Sequence, residues 1–149
     1  MSEGMQMNQE PKMILVWRAD LRNSKGQKVR TGKVAAQLAH AAMAAVLENA
    51  TDHSPNRESI VIPLTDETGT KWPLSHWLNG KFTKVCVAVN SEKELLDLYS
   101  AAVGKGINVA LIKDAGLTEF DGVATYTAIA IGPDYPTVLD PLTRHLPLL

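Results

Sequence analysis

The sequence predicts an α/β fold, a small mixed, mostly parallel four-stranded sheet with helices packed on it as an α/β/α sandwich. Three observations carry that expectation. Short apolar runs alternate with helix-period patterns along most of the chain. A helical pattern separates the first run from the second and the second from the third, as right-handed parallel crossovers require. The third and fourth runs are joined by a short link with no helix in it, so that pair is expected to be antiparallel.

In chain order, "MSEGMQMNQEPK" has no apolar centre and no cleavage pattern, so residues 1–12 read as a flexible tail rather than a signal peptide. "MILVW" (13–17) reads as a buried strand, followed by a polar loop. "TGKVAAQLAHAAMAAV" then has seven alanines in sixteen residues and reads as a helix capped by Thr31 and ending near Asn49. Residues 50–71 are rich in Pro, Thr and Asp and read as an insertion, with an extra strand offered by "SIVIPL". "PLSHWLNG" suits a short helix with Pro73 early and Gly80 as its stop. "FTKVCVAV" (82–89) is a strand, and "SEKE" predicts a helix with Ser91 as cap and Glu94 reaching back to it. "INVALIK" (107–113) and "ATYTAIAI" (124–131) complete the sheet, the last stopped by Gly132-Pro133. Residues 13–149 are thus expected to form one domain.

Composition narrows the classes of function. Of the 149 residues, 45% are hydrophobic and 21% charged, the balance of a soluble globular domain. A net charge of −1 excludes a polycation that would coat nucleic acid indiscriminately, but leaves room for a local basic patch. The single cysteine, Cys86, has no partner within the chain, which suits a reducing cytoplasm. No apolar run approaches the roughly 20 residues a membrane span needs, so no membrane partner is expected.

Lys33, Gln37 and His40 are spaced to project from one face of the alanine-rich helix, while Val34, Leu38, Ala41 and Ala45 form the sheet-facing stripe. The polar row is either the solvated side of an ordinary amphipathic helix or one wall of a site. A lysine near a helix start runs against the usual preference for acidic residues there, which favours an anionic partner. Asp114 follows the third strand, and Gly116 lets the chain turn beside it. That aspartate is either the closing residue of an Asx-turn or a group on the carboxyl rim of the sheet, where open α/β folds bind ligands. The same rim would gather Thr118 and Thr127, with Thr125 as a rival to Thr127.

Other templates fail. "GQKVRTGKV" has the wrong spacing for a phosphate loop and Val34 where a hydroxyl must hold Mg²⁺. The four histidines lack metal-ligand spacing, and Cys86 lies mid-strand among valines, so neither a metal nor a cofactor is expected. A carboxylate, a cation and hydroxyls suit hydrolysis by an activated water. Six cations (Arg18, Arg22, Lys25, Lys28, Arg30 and Lys33) stand against Asp20 alone between positions 18 and 33. Such a run is usually a solvated loop, but beside this rim it offers a path for a phosphate backbone.

These motifs, "VWRADL", "GKVAAQLAHAA", "DAGLT" and "IAIGP", resemble in order those of the peptidyl-tRNA hydrolase family typical of archaea and eukaryotes. The resemblance spans Met13 to Leu149. It implies an enzyme that cleaves the ester between a peptide and the 3′ ribose of tRNA without a metal. It also implies catalytic roles for Lys33, Asp114, Thr118 and Thr127, with Gln37 and His40 at matching helix positions; His40 is counted with the catalytic groups, and Gln37, Gly116, Arg18, Arg22, Lys25, Lys28 and Arg30 are expected to contact substrate. The alternative is a module of the same fold that binds tRNA or protein without turnover. A homodimer is left open. The chain departs from the family pattern in a longer loop after Asp20, the insertion at 50–71, Leu117 in place of a basic residue, and one extra residue before Thr127.

Overall fold

The computed structural model describes residues 9–51, 55–56, 58–116 and 120–149. Four strands, β1 (Lys12–Arg18), β2 (Thr83–Val89), β3 (Val109–Asp114) and β4 (Thr125–Asp134), form one sheet in the order β2-β1-β4-β3. Four helices, α1 (Thr31–Leu47), α2 (Pro73–Asn79), α3 (Glu92–Gly104) and α4 (Pro136–Thr143), pack on it. β1 and β2 pair parallel, and β4 runs antiparallel between β1 and β3. Three strands therefore share one direction, as expected. Because β4 intervenes, two of the three hydrogen-bonded ladders are antiparallel. The consequence for function is geometric: the ends of β1 and β3 and the start of β4 lie on one rim.

The unbroken apolar run of β1 is explained by its central position. Met13, Leu15 and Trp17 pack beneath α1 and α2, whereas Ile14 and Val16 pack beneath α3 and α4. On the first face Ala41 and Ala45 of α1 are fully buried in the same cluster as Ala128 and Ala130 of β4. Small side chains on both surfaces let the helix lie close to the sheet. Ala42 and Ala44 are partly buried against the same cluster, whereas Ala35, Ala36 and Ala39 are exposed and serve helix propensity rather than packing.

Several local expectations are corrected. Arg30, not Thr31, caps α1, and it makes no side-chain capping hydrogen bond. "SIVIPL" forms no strand; the segment is held by isolated bridges, Thr51 to Val61 and Thr65 to Lys71. β4 does not stop at Gly132-Pro133 but continues through that cis peptide to Asp134. Asp114 is the last residue of β3, one position inside the strand rather than beyond it. The Ser91 cap holds: its Oγ accepts the Glu94 N–H at 3.0 Å, although Glu94 reaches back to the N–H of Asn90. The final residues cover the edge of β2, where Ala88 N–H donates to Pro147 O and Leu149 N–H to Cys86 O. Among the described residues, no helix is long and apolar enough to cross a membrane. The expected tail lies mostly at positions 1–8, outside the described residues.

Candidate active site

Asp114, at the carboxyl end of β3, is the centre of the rim. Lys33 lies in the first turns of α1, and its Nζ is 2.8 Å from Asp114 Oδ1. One turn further along, Gln37 Nε2 donates to the same oxygen at 3.3 Å. Asp114 Oδ2 accepts the backbone N–H of Gly116 at 2.8 Å. The Asx-turn and the rim site are therefore one arrangement: the carboxylate closes its own loop with one oxygen and meets α1 with the other. Both side chains of the ion pair are largely enclosed, at 16% for Lys33 and 12% for Asp114.

Burial pushes the Asp114 carboxyl up, but the Lys33 hydrogen bond, the Gly116 N–H and the charges of Lys33 and His40 outweigh it. The net effect holds its pKa below the usual carboxylate value. His40 is exposed on the next turn of α1 and acts on Asp114 through its charge. The predicted row of polar residues is thus divided by depth: Lys33 half-buried on the carboxylate, Gln37 buried, His40 in solvent.

Gln37 is the hidden member. Only 3% exposed, it spends its amide inside the protein. An ionised carboxylate accepts only, so Gln37 must turn its NH₂ toward Asp114 and its carbonyl the other way. That carbonyl accepts the Thr127 hydroxyl at 2.6 Å. Thr127 is completely buried and is linked to Asp114 through Gln37. Thr125 pairs with Asp114 in strand register, yet its hydroxyl donates to Val123 O at 2.8 Å. Of the two rival threonines, only Thr127 joins the network. Thr118 falls within 117–119, outside the described residues, as does Leu117.

Gly116 is required by space and by backbone conformation. Its φ is +83°, and a Cβ there would lie 2.2 Å from Val123 O. Its carbonyl accepts the Gly122 N–H at 2.7 Å, closing the loop on itself. Gly116, expected from the sequence to contact substrate, is buried, and its N–H serves Asp114.

The family model for peptidyl-tRNA hydrolase PTH2 matches residues 11–149. The chain belongs to the peptidyl-tRNA hydrolase PTH2 family. It is 37% identical to the peptidyl-tRNA hydrolase of Methanocaldococcus jannaschii over 138 residues, covering 93% of this chain and 99% of that protein. It is 36% identical to that of Staphylothermus marinus over 145 residues, covering 97% and 100%. The Methanopyrus kandleri peptidyl-tRNA hydrolase is 34% identical over 138 residues, covering 93% and 97%.

In this PTH2 family chain the cations of the loop after β1 separate into two kinds. Arg18 is folded inward: its Nε and Nη2 hold both oxygens of Asp20 at 3.1 and 2.7 Å, and its Nη1 donates to Tyr126 O at 3.0 Å. The others lie outside. Arg22 and Lys28 bridge a small hairpin closed by Asn23, whose Oδ1 accepts the N–H groups of Lys25 and Gln27. Arg22, Lys25, Lys28 and Arg30 are exposed there, beside the start of α1. Counting charge along the sequence could not separate these kinds. The one signal available was Asp20, two residues from Arg18 and of opposite charge.

Proposed function

We infer that the protein is a peptidyl-tRNA hydrolase, which releases tRNA by adding water to the ester between a peptide and the tRNA 3′ ribose. The observation that carries the reading is the Lys33–Asp114–Gln37 cluster on the sheet rim of a chain in this family. In the proposed reaction a water attacks the ester carbonyl carbon, the ribose oxygen leaves, and the water's proton ends on that leaving oxygen. Among the described residues three donors occupy Asp114, and a carboxylate has about four acceptor positions, which leaves one for the attacking water. A carboxylate with a lowered pKa holds a proton poorly. Asp114 therefore orients the water and passes its proton on. The Lys33 ammonium stabilises the charge that grows on oxygen as the carbonyl opens. Gln37 and Thr127 keep the carboxylate in place.

The exposed cations between positions 22 and 30 suit the phosphate backbone of tRNA, and their position beside the start of α1 supports an approach with the acceptor end toward that helix. A translation-linked hydrolase of this kind belongs in the cytoplasm, and a homodimer fits the reading as well as a monomer. On this reading the segment 50–71 is an insertion outside the reacting centre.

The test is incubation of the purified protein with peptidyl-tRNA and, separately, with aminoacyl-tRNA carrying a free amine. Release of tRNA from the peptidyl form supports the reading. Tight tRNA binding without release from either would leave a binding module of the same fold.

A further inference from the structure

Strand β4 breaks its own alternation at the site. Ala128 and Ala130 pack toward α1, whereas Ile129 and Ile131 pack toward α3 and α4. Strict alternation would place Tyr126 under α1 and Thr127 on the far face. The structure has the reverse. Tyr126 packs with the α3 and α4 cluster, and Thr127 faces α1 to bond Gln37. The register explains it: Ile112 pairs with Ala128 and Lys113 with Tyr126, so Thr127 has no opposite residue on β3. This is a β-bulge, one extra residue that re-aims a side chain.

A bulge leaves its peptide units less constrained by the ladder, and here the other neighbour also ends. The β1–β4 pairing closes at Trp17 with Ala128. Beyond it, Arg18 Nη1 takes up the carbonyl of Tyr126, which belongs to the same peptide unit as the Thr127 N–H. The guanidinium is itself held in a two-point fork by Asp20, and the Arg18 side chain is only 11% exposed.

We propose that Arg18, locked by Asp20, is a positioning residue for the hydrolysis: it fixes the bulged Tyr126–Thr127 peptide, and through Thr127 the orientation of Gln37 on Asp114. This rests on the hydrolase reading above, and it removes Arg18 from the set of phosphate contacts. Arg18 touches neither Asp114 nor Gln37; its influence runs through the backbone of β4.

The experiment measures kcat and KM for peptidyl-tRNA in Arg18→Ala, Thr127→Val and the double variant, with the Gln37 side-chain amide resonance recorded in each. Arg18→Ala is expected to lower kcat by about tenfold, with KM and the salt dependence of tRNA binding unchanged. On the Thr127→Val background it should cost less than about twofold more, because the two act in series. The Gln37 amide resonance should shift and exchange faster in Arg18→Ala. A raised KM with kcat kept and a salt slope flattened by about one charge would make Arg18 a phosphate contact and overturn the proposal. So would fully multiplicative losses in the double variant, or an unmoved Gln37 resonance. Should Arg18→Ala fail to fold, Asp20→Asn loosens the fork while leaving the guanidinium, and the same outcomes apply. A parent protein that never releases tRNA refutes the hydrolase reading, whereas the Gln37 resonance still decides the positioning claim.

Discussion

Replacing Asp114 with asparagine keeps the size of the side chain and removes its charge and one acceptor. Asp114 Oδ1 receives Lys33 at 2.8 Å and Gln37 at 3.3 Å, and Oδ2 receives Gly116 at 2.8 Å. An amide offers one oxygen and one NH₂, so either orientation sets the NH₂ against a donor. Gln37 can answer by flipping, but Lys33 and the Gly116 N–H cannot. Hydrogen bonds to a charged group contribute roughly 1.5–3 kcal/mol each, and donors at a sheet rim recover part of this from water. The expected net loss of stability is about 1–3 kcal/mol. A domain of ordinary stability, roughly 5–15 kcal/mol, would then remain more than about 95% folded. Turnover should nevertheless fall by about 10²-fold or more, equivalent to at least ~2.7 kcal/mol of barrier. Loss of folded protein is far too small to imitate that. The assay is tRNA release at saturating peptidyl-tRNA, beside thermal melting of the same samples. The reasoning also has a pH signature. Because the folded-state pKa of Asp114 is lowered, its stabilising contribution is complete above the ordinary carboxylate value and is lost as pH falls through the folded-state value. The melting-temperature gap between the parent and Asp114→Asn should be widest near neutrality and close on acidification. Near-normal kcat in the variant would remove Asp114 from the chemistry, and a gap that widens in acid would refute its place as the stabilised anion.

Lys33→Ala and Lys33→Arg are both expected to fold and to lose most hydrolysis while tRNA binding drops only modestly, because a planar guanidinium does not reproduce a point contact in an enclosed pair; full turnover by Lys33→Arg would reduce the lysine to one more cation. Arg22→Ala, Lys25→Ala and Lys28→Ala should each flatten the salt dependence of tRNA binding by roughly one charge, read from titrations at several salt concentrations. Gly116→Ala should destabilise the protein by about 1–3 kcal/mol and depress turnover, since φ is +83° and the added methyl meets Val123 O at 2.2 Å. Denaturant melts and tRNA release measure the two effects, and an unperturbed variant would mean that the loop does not depend on this turn.

Much of the site was legible because its main groups sit at motif positions. Lys33 is readable as an odd cation at a helix start, and Asp114 as a carboxylate at a strand end followed by a turn glycine. Gln37 was legible as a member of the same helix row, but not as a buried one. Helix spacing gives angle around the axis, not depth, and depth is decided by what covers the face. Arg18 is indistinguishable by charge from its neighbours, because nothing in a local run of cations reports which of them meets a backbone carbonyl 108 positions away.

By itself the sequence determined the elements and their faces: the two-sided apolar β1, the alanine face of α1, the Ser91 cap of α3 and the antiparallel return of β4. These follow from side-chain periodicity and local backbone chemistry, which are properties of neighbours in the chain. Only the tertiary structure decided that β4 lies between β1 and β3, which brings Lys33 and Asp114 to one rim across 81 positions. Only the tertiary structure decided which of two threonines enters the network. Thr125 and Thr127 have the same side chain and the same local setting. One bulge, set by pairing with β3, turns Thr127 toward Gln37, whereas Thr125, nearer the strand start and opposite Asp114, spends its hydroxyl on Val123 O; strand register is a relation between distant segments that no single segment contains.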